Sequence, residues 1–550
     1  MLMITYRALP TGSSRWRAVA CLAMVLAAAP AVAQYSSGSS GIHGPFPPIP
    51  EGQTDIPAAT DFIVWNITTG LVRYCSAYSP TNFPETCTTE LATAQIPNIP
   101  QPDGLTTGVY EFTDVSIRPG ASVGGVDVYI VGNVRNVPLT ILAQDDIVIG
   151  QTGKTITLRL AGQTGKAPSP VWASAAGGKA GPGGYQGGAG GNGGEAPENG
   201  SAGFGPAGGT GGTTSTTDGQ AFRGGNPGTS PATVSLTPLV GGSGGGGGAG
   251  AQSGNPLGCG SSTFGLGGAG GGGGGGAVLL AAEDRIEFLG TSRIYVQGGL
   301  GSYNSSAQAA CVRLEGAGGA GGSIRLVART VTSGSSTHLA LDGGHTGWFN
   351  IAAPGGRVRI EAFTNTFTGG ISGLTSGSFV AYPLDPIPPT LPTLSITMVG
   401  GQGVGDDPKN DLQNPDVTFA TPPADPAPVE LVLTAPEPIP AGTTAYVRAT
   451  PLAGAFTEAT SSEFSGTGPY TATALVAIPP GYGSVHASTS YSVSQGQLAA
   501  MGLRNIPMID GDVPDRVEVV AQGGGASEVY LLTPGGRRYL VRPSGEIVLK

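Results

Sequence analysis

A five-residue apolar cassette recurs four times, and this recurrence constrains the fold more than any other feature of the chain. The copies are Leu139-Thr140-Ile141-Leu142-Ala143, Val278-Leu279-Leu280-Ala281-Ala282, Ile324-Arg325-Leu326-Val327-Ala328 and Val358-Arg359-Ile360-Glu361-Ala362. Superposed, they align Leu139, Val278, Ile324 and Val358. Ile141, Leu280, Leu326 and Ile360 fall two residues on, and Ala143, Ala282, Ala328 and Ala362 two further. Positions two apart face one side of a strand. Each copy therefore predicts a strand with one apolar face and residues such as Thr140, Arg325 and Arg359 on the other. A second apolar pair follows, Ile147/Ile149 and Ile286/Phe288, and then a third, Ile294/Val296 and Leu339/Leu341. Two or three short strands in roughly 23 residues match one coil of a parallel β-solenoid, where each coil buries its inward side chains on its neighbours.

Between the first and second cassettes lies a glycine-dense tract, residues 165–276. It contains triplets such as Gly187-Gly188-Ala189, Gly190-Gly191-Asn192 and Gly193-Gly194-Glu195. Insertions in solenoids map to loops, so the tract is expected to leave one corner of the coil. Two readings stay open. Gly/Ser tracts are commonly flexible linkers. A period of three also matches the polyproline II turn, and packed polyproline II strands need glycine where they touch.

The flanking segments complete an all-β expectation. Residues 34–104 read as an extended leader and a β-hairpin cap, with strands near 61–74 around Thr69-Gly70. Residues 105–382 read as a right-handed parallel β-helix carrying the glycine-rich insertion. A proline linker, Pro383 to Pro392, is followed by alternating segments over 393–493 that suggest an immunoglobulin-like β-sandwich lacking its disulfide. Residues 494–550 read as a small β tail after one short helix.

Residues 1–33 have the pattern of a signal peptide: Arg7, Arg15 and Arg17, an apolar core of about a dozen residues, then Ala31-Val32-Ala33. No other run approaches the ~18 apolar residues of a membrane span. Removing three arginines and no acid would move the net charge from −10 to −13, which disfavours nucleic acid as a partner. Charged residues make up only 11% of the chain, a low share that suits an exported surface protein better than a solvated globule. Four cysteines would remain, and their even number in an exported chain suggests the disulfides Cys75–Cys87 and Cys259–Cys311, with free thiols as the alternative.

The segments Gly321-Gly322-Ser323-Ile324-Arg325-Leu326-Val327-Ala328 and Gly355-Gly356-Arg357-Val358-Arg359-Ile360-Glu361-Ala362, each a Gly-Gly pair leading into an alternating strand, resemble exported glycine-rich parallel β-helix proteins of Gram-negative bacteria. Those proteins are pectin-lyase-like solenoids, and the resemblance covers about residues 105–380. It implies a surface or matrix role and no catalytic residues to carry over.

Candidate chemistry is sparse. The cassette alignment sets Asp145 over Asp284, and on adjacent coils two carboxylates would lie about 5 Å apart. That separation suits a retaining glycosidase pair, or oxygen ligation of Ca²⁺. The plainer alternative is turn chemistry on a solvated corner, with Arg285 and Arg329 at hand as counter-ions. Asp406-Asp407 and Asp510-Gly511-Asp512 lack the EF-hand pattern, and His338 and His345 have no zinc-like neighbours. Trp172, Trp348, Tyr295 and Tyr303 would form a sugar-stacking platform only if they share a face. Asn66-Ile67-Thr68 and Asn304-Ser305-Ser306 fit the N-glycan acceptor pattern.

The expected function is adhesive or structural: a secreted protein of the outer surface or extracellular matrix, binding glycans, cell-surface components or copies of itself by repeated weak contacts, without cofactor. A polysaccharide lyase or glycoside hydrolase using Asp145 and Asp284 is the second reading. Ice binding is the third, and Thr152, Thr155 and Thr157 are too irregular to support it strongly.

Overall fold

The structure is a computed structural model. It describes residues 35–78, 87–99, 108–132, 137–214, 225–230, 232–233, 235–252, 265–303, 314–346, 351–380, 383–384, 386, 389–405, 408, 414–503, 506, 512–521, 527–543, 545 and 547–550. The proposed signal peptide, Cys259, Cys311, Trp348, Asn304, Asp406, Asp407 and Asp510 lie outside the described residues. The protein is all-β, with 42% of residues in strands and 1% in helix.

Among the described residues, fourteen strands precede residue 381. They are β1 (Phe62–Asn66), β2 (Leu71–Tyr78), β3 (Cys87–Gln95), β4 (Val109–Phe112), β5 (Val115–Ile117), β6 (Gly125–Val131) and β7 (Leu139–Ala143), then β8 (Ile147–Arg159), β9 (Ala277–Tyr295), β10 (Ser323–Ser333), β11 (His338–Ala340), β12 (Gly356–Thr366), β13 (Gly370–Ser372) and β14 (Leu374–Val380). The four cassettes pair in parallel and in the register read from the sequence. Leu139 lies opposite Val278, Val278 opposite Ile324, and Ile324 opposite Val358, and the alanines stay in line. β4 extends this first ladder at one end and β14 at the other. A second ladder aligns Val115, Ile147, Ile286 and Val331. A third runs β1-β6-β8-β9-β11-β13, all parallel, aligning Leu158, Ile294, Leu339 and Ile371. β9 is long enough to serve all three. The inward column Ile141, Leu280, Leu326, Ile360 is 0–1% exposed, so each tier rests its branched side chains on the next and the backbone ladder satisfies the buried amides.

The glycine tract is built into this body. Every backbone N–H from Leu266 to Ala277 donates to a carbonyl, and the acceptors rotate among three neighbouring segments. Gly268, Gly271 and Gly274 donate to Gly191, Gly188 and Tyr185. Ala269, Gly272 and Gly275 donate to Leu314, Ala317 and Ala320. Gly270, Gly273 and Gly276 donate to Lys166, Gln163 and Leu160. A period of three in partner choice belongs to polyproline II strands packed side by side. Segments 241–251, 265–276 and 314–322 bond to one another and are buried. Around them pack 160–166, 175–181, 185–194, 198–204, 207–214, 225–229, 296–302, 340–346 and 352–356. Over the described residues of the tract the ordered alternative is the one observed, and the bundle also takes in segments beyond 165–276. The segments that follow β9 and β11, and those that lead into β10 and β12, also feed the bundle. In the triplet Gly187-Gly188-Ala189, a Cβ on either glycine would strike a backbone carbonyl, while Ala189 is half-buried.

One end of the stack is covered. β2 and β3 add antiparallel to β1, and Cys75 and Cys87 stand at disulfide distance, Cα–Cα 5.7 Å. The strap Tyr35–Pro50 lies along the first tier: the His43 N–H donates to the Glu111 carbonyl, the Thr113 N–H to the Gly44 carbonyl and the Phe46 N–H to the Asp114 carbonyl. Phe46, Trp65, Tyr110 and Phe112 form a buried aromatic plug beneath it.

His43 makes this strap pH-sensitive. Its Nδ1 accepts the Glu111 N–H at 2.8 Å, which requires the neutral ring. Burial pushes its pKa below 6.5 against the opposing pull of Glu111. A base with a lowered folded pKa stabilises fully above the unfolded value of 6.5 and loses that contribution as pH falls toward the folded value. The expected result in urea titrations is that stability falls below pH 6.5 more steeply in the wild type than in His43→Asn, whose amide oxygen accepts the same bond without titrating.

After the linker, β15 (Thr393–Val399), β16 (Gln402–Gly403), β17 (Ala427–Thr434) and β20 (Tyr470–Val476) form one sheet. β18 (Ala445–Pro451), β19 (Thr457–Thr460), β21 (Gly483–Ser492), β22 (Arg516–Ala521), β23 (Ser527–Leu532), β24 (Arg538–Val541) and β25 (Ile547–Leu549) form the other. Both sheets share one core, containing Val429, Leu431, Val447, Val519 and Leu531. Residues 516–549, read from the sequence as a separate tail, continue the second sheet because β22 pairs with β21. The short helix α1 (Gln495–Ala500) carries a capping box between Ser494 and Gln497.

Candidate functional site: an acidic corner on the stacked strands

The turn between the first and second ladders carries Gln144-Asp145-Asp146 on one tier, Glu283-Asp284-Arg285 on the next and Arg329 beyond. The Asp284 N–H donates to the Asp145 carbonyl at 3.3 Å, and the Asp145 N–H to the Thr113 carbonyl at 3.0 Å. Asp145 and Asp284 therefore occupy neighbouring tiers, as the cassette alignment requires. Both are exposed, and Arg329 Nε stands 3.9 Å from Asp284 Oδ1.

The carboxylates with altered acidity are their neighbours. Burial raises the pKa of Asp146, Arg285 counters it, and Asp145 and Asp284 add to the rise. Asp146 Oδ2 accepts from Arg285 Nε at 2.9 Å, while Oδ1 is buried without a hydrogen-bond partner. Glu283 is also raised, by burial first and by Asp145, against Arg329. The sequence pointed one residue away from each of these groups. Period-two alternation shows which residues sit at the corner but not which carboxyl the next tier desolvates. The corner is an arginine-balanced row of acids on a convex turn. Among the described residues, no group of three or more His, Cys, Asp and Glu could hold a metal ion, so the Ca²⁺ reading gains no support there.

The aromatic platform divides. Tyr295 lies on the outer face of the third ladder, where the Arg159 guanidinium sits 5.1 Å from its ring and 5.6 Å from that of Tyr129. Arg159 also holds Asp127 at 3.0 Å. Trp172 and Tyr303 belong to the far end of the glycine bundle instead, the Trp172 carbonyl accepting the Gly193 N–H. Thr157 is buried while Thr152 is exposed, so these threonines share no open face. Asn66 Oδ1 accepts the Thr68 N–H at 2.9 Å and the Thr69 N–H at 3.2 Å, a turn that occupies its side chain.

Two further features carry no sequence signal. In the sandwich a cavity of about 990 Å³ is lined by Leu394, Ile396, Phe419, Ile478, Tyr482 and His486. On its rim Ser484 Oγ and His486 Nε2 are 3.0 Å apart, but His486 is exposed. Asp512, the described member of its loop pair, accepts from Thr533, from the Gly535 N–H and from Arg537, and so braces a turn. No family model, no curated protein and no solved structure matches this chain.

Proposed function

We propose that this chain is an exported adhesive or structural protein of the bacterial outer surface or matrix. In this reading the three parallel ladders are the faces of a right-handed parallel β-helix, the hand that strand–crossover–strand connections adopt in about 98% of cases. The observation that carries the proposal is the bundle. The segment Gly265–Gly276 runs straight into β9 at Ala277, so its other end, near Gly265, is turned away from the sheets. That end is held by hydrogen bonds along its whole length, and it exposes Val171, Trp172 and Tyr303, the last two 47% and 44% exposed. Rigid aromatic side chains on a preorganised scaffold suit sugar rings, binding at little entropic cost.

The test is binding of the purified chain to a glycan array and to whole cells, run beside release of reducing sugar. The proposal expects retention without sugar release, and a loss of about tenfold in Trp172→Ala, typical of an anchoring aromatic. Sugar release that disappears in Asp145→Asn would instead support the hydrolase or lyase reading.

A further inference from the structure

We propose that the C-terminal sandwich binds an uncharged lipophilic molecule in the cavity between its two sheets. The cavity follows from the side chains around it. Sheets packed face to face stand about 10 Å apart, and small inward residues do not fill that gap. At this end the second sheet supplies Ala449 from β18, which is buried, and Ala521 from β22, which is half-buried. The space left measures about 990 Å³ and takes walls from both sheets: Leu394 and Ile396 on β15, Val485 on β21. The connection from β16 to β17 adds Val404 and Phe419, and that from β20 to β21 adds Ile478. Leu394 is buried beneath. Ile396, Val404, Phe419, Ile478 and Val485 pack against the shared core yet stay only half-buried, so apolar surface that a filled sandwich would bury lines the cavity instead.

Size, wall chemistry and charge select the occupant. The volume lies at the upper end of the roughly 300–1,000 Å³ of small-molecule sites. The walls are mostly aliphatic, so a sugar would leave hydroxyls unpaired against them, whereas an apolar chain or ring gains by burial. Among the described residues, the lining carries Asp416 and Asp425, both exposed at the mouth, and no lysine or arginine. His486, also exposed, stands on the rim 3.0 Å from Ser484 Oγ. An anionic head meets two carboxylates of its own sign, and a cationic head gains little from carboxylates in contact with water. The site is also preformed: Pro415, Pro422, Pro423, Pro451, Pro479 and Pro480 fix the backbone of the surrounding turns, so binding orders little. The inference does not depend on glycan binding.

The test is calorimetric titration of the full chain with decanol and with decanoate, one alkyl chain carrying an uncharged or an ionised head, at neutral pH. Decanol is expected to bind one-to-one, and decanoate about tenfold or more weakly. This comparison needs no variant to fold. Ala521→Trp places an indole in the cavity and is expected to weaken decanol binding by about tenfold or more. Leu475→Trp, on an exposed position of β20 outside the lining, leaves it unchanged. No uptake of decanol, decanoate bound as tightly as decanol, uptake indifferent to Ala521→Trp in the folded variant, or a dimer whose interface shuts decanol out would each overturn the proposal.

Discussion

Gly274→Ala is expected to prevent the chain from reaching its native state. A Cβ at Gly274 would lie closer than 3.0 Å to the Gly242 carbonyl, a backbone atom that cannot turn aside. Gly242 itself donates to Gly275, and Gly274 to Tyr185, so moving either strand breaks bonds to several others. The expected cost is above about 4 kcal/mol, the range of severe core overpacking combined with lost backbone hydrogen bonds. Thermal unfolding followed by circular dichroism, with limited proteolysis across 165–276, checks this. Gly334→Ala is the matched control, because a Cβ there meets nothing within 4 Å, and its stability should stay within about 0.5 kcal/mol of wild type.

The second large effect is expected at Glu361. Its carboxylate is fully buried on the outer side of the first ladder. It accepts from Arg325 Nε at 2.8 Å and Nη2 at 3.3 Å, from Arg359 Nε at 2.5 Å and from the Leu384 N–H at 2.8 Å. Arg325 Nη1 also donates to the Pro386 carbonyl at 3.2 Å. The linker is thus tied to the stack through one buried ion cluster. Glu361→Ala leaves the 2%-exposed Arg325 without its counter-ion, which costs about 3–5 kcal/mol when one partner of a buried pair is removed. Denaturant titration should show that loss, and proteolysis near 383–391 should accelerate. Replacing the acid together with both arginines, Arg325→Met and Arg359→Met with Glu361→Leu, should recover most of the stability, because the cost lies in the stranded charge rather than in the cluster.

The stacking register was legible because two simple signals coincide in the cassettes: alternation of Leu, Ile and Val, and an alanine at the same step. The three-residue period of the glycine tract was legible too, but its order was not. A polyproline II strand has no internal hydrogen bonds, so its stability lies wholly in partners that composition does not name. For the same reason 297–302, 314–320, 342–346 and 352–354 carry no strand alternation, although Gly298-Gly299 and Gly318-Gly319 repeat the motif. In the C-terminal part, alternation marked Val517, Val519, Val529 and Leu531 as strand residues. Their membership of the second sheet rests on pairings such as Ser488 with Val520, a long-range contact that local pattern does not reveal. At the acidic corner the adjacency of Asp145 and Asp284 was readable. The desolvation of Asp146 and Glu283 was not, since it comes from the packing of neighbouring tiers.

The central claim is that stacked strands and glycine bundle form one hydrogen-bonded body. Amide hydrogen exchange over Leu266–Gly276, compared with Val278–Phe288 of β9, tests it most directly. The account predicts that both segments exchange only on global unfolding. Exchange of Leu266–Gly276 at the rate of an unstructured chain, with β9 still protected, would contradict it.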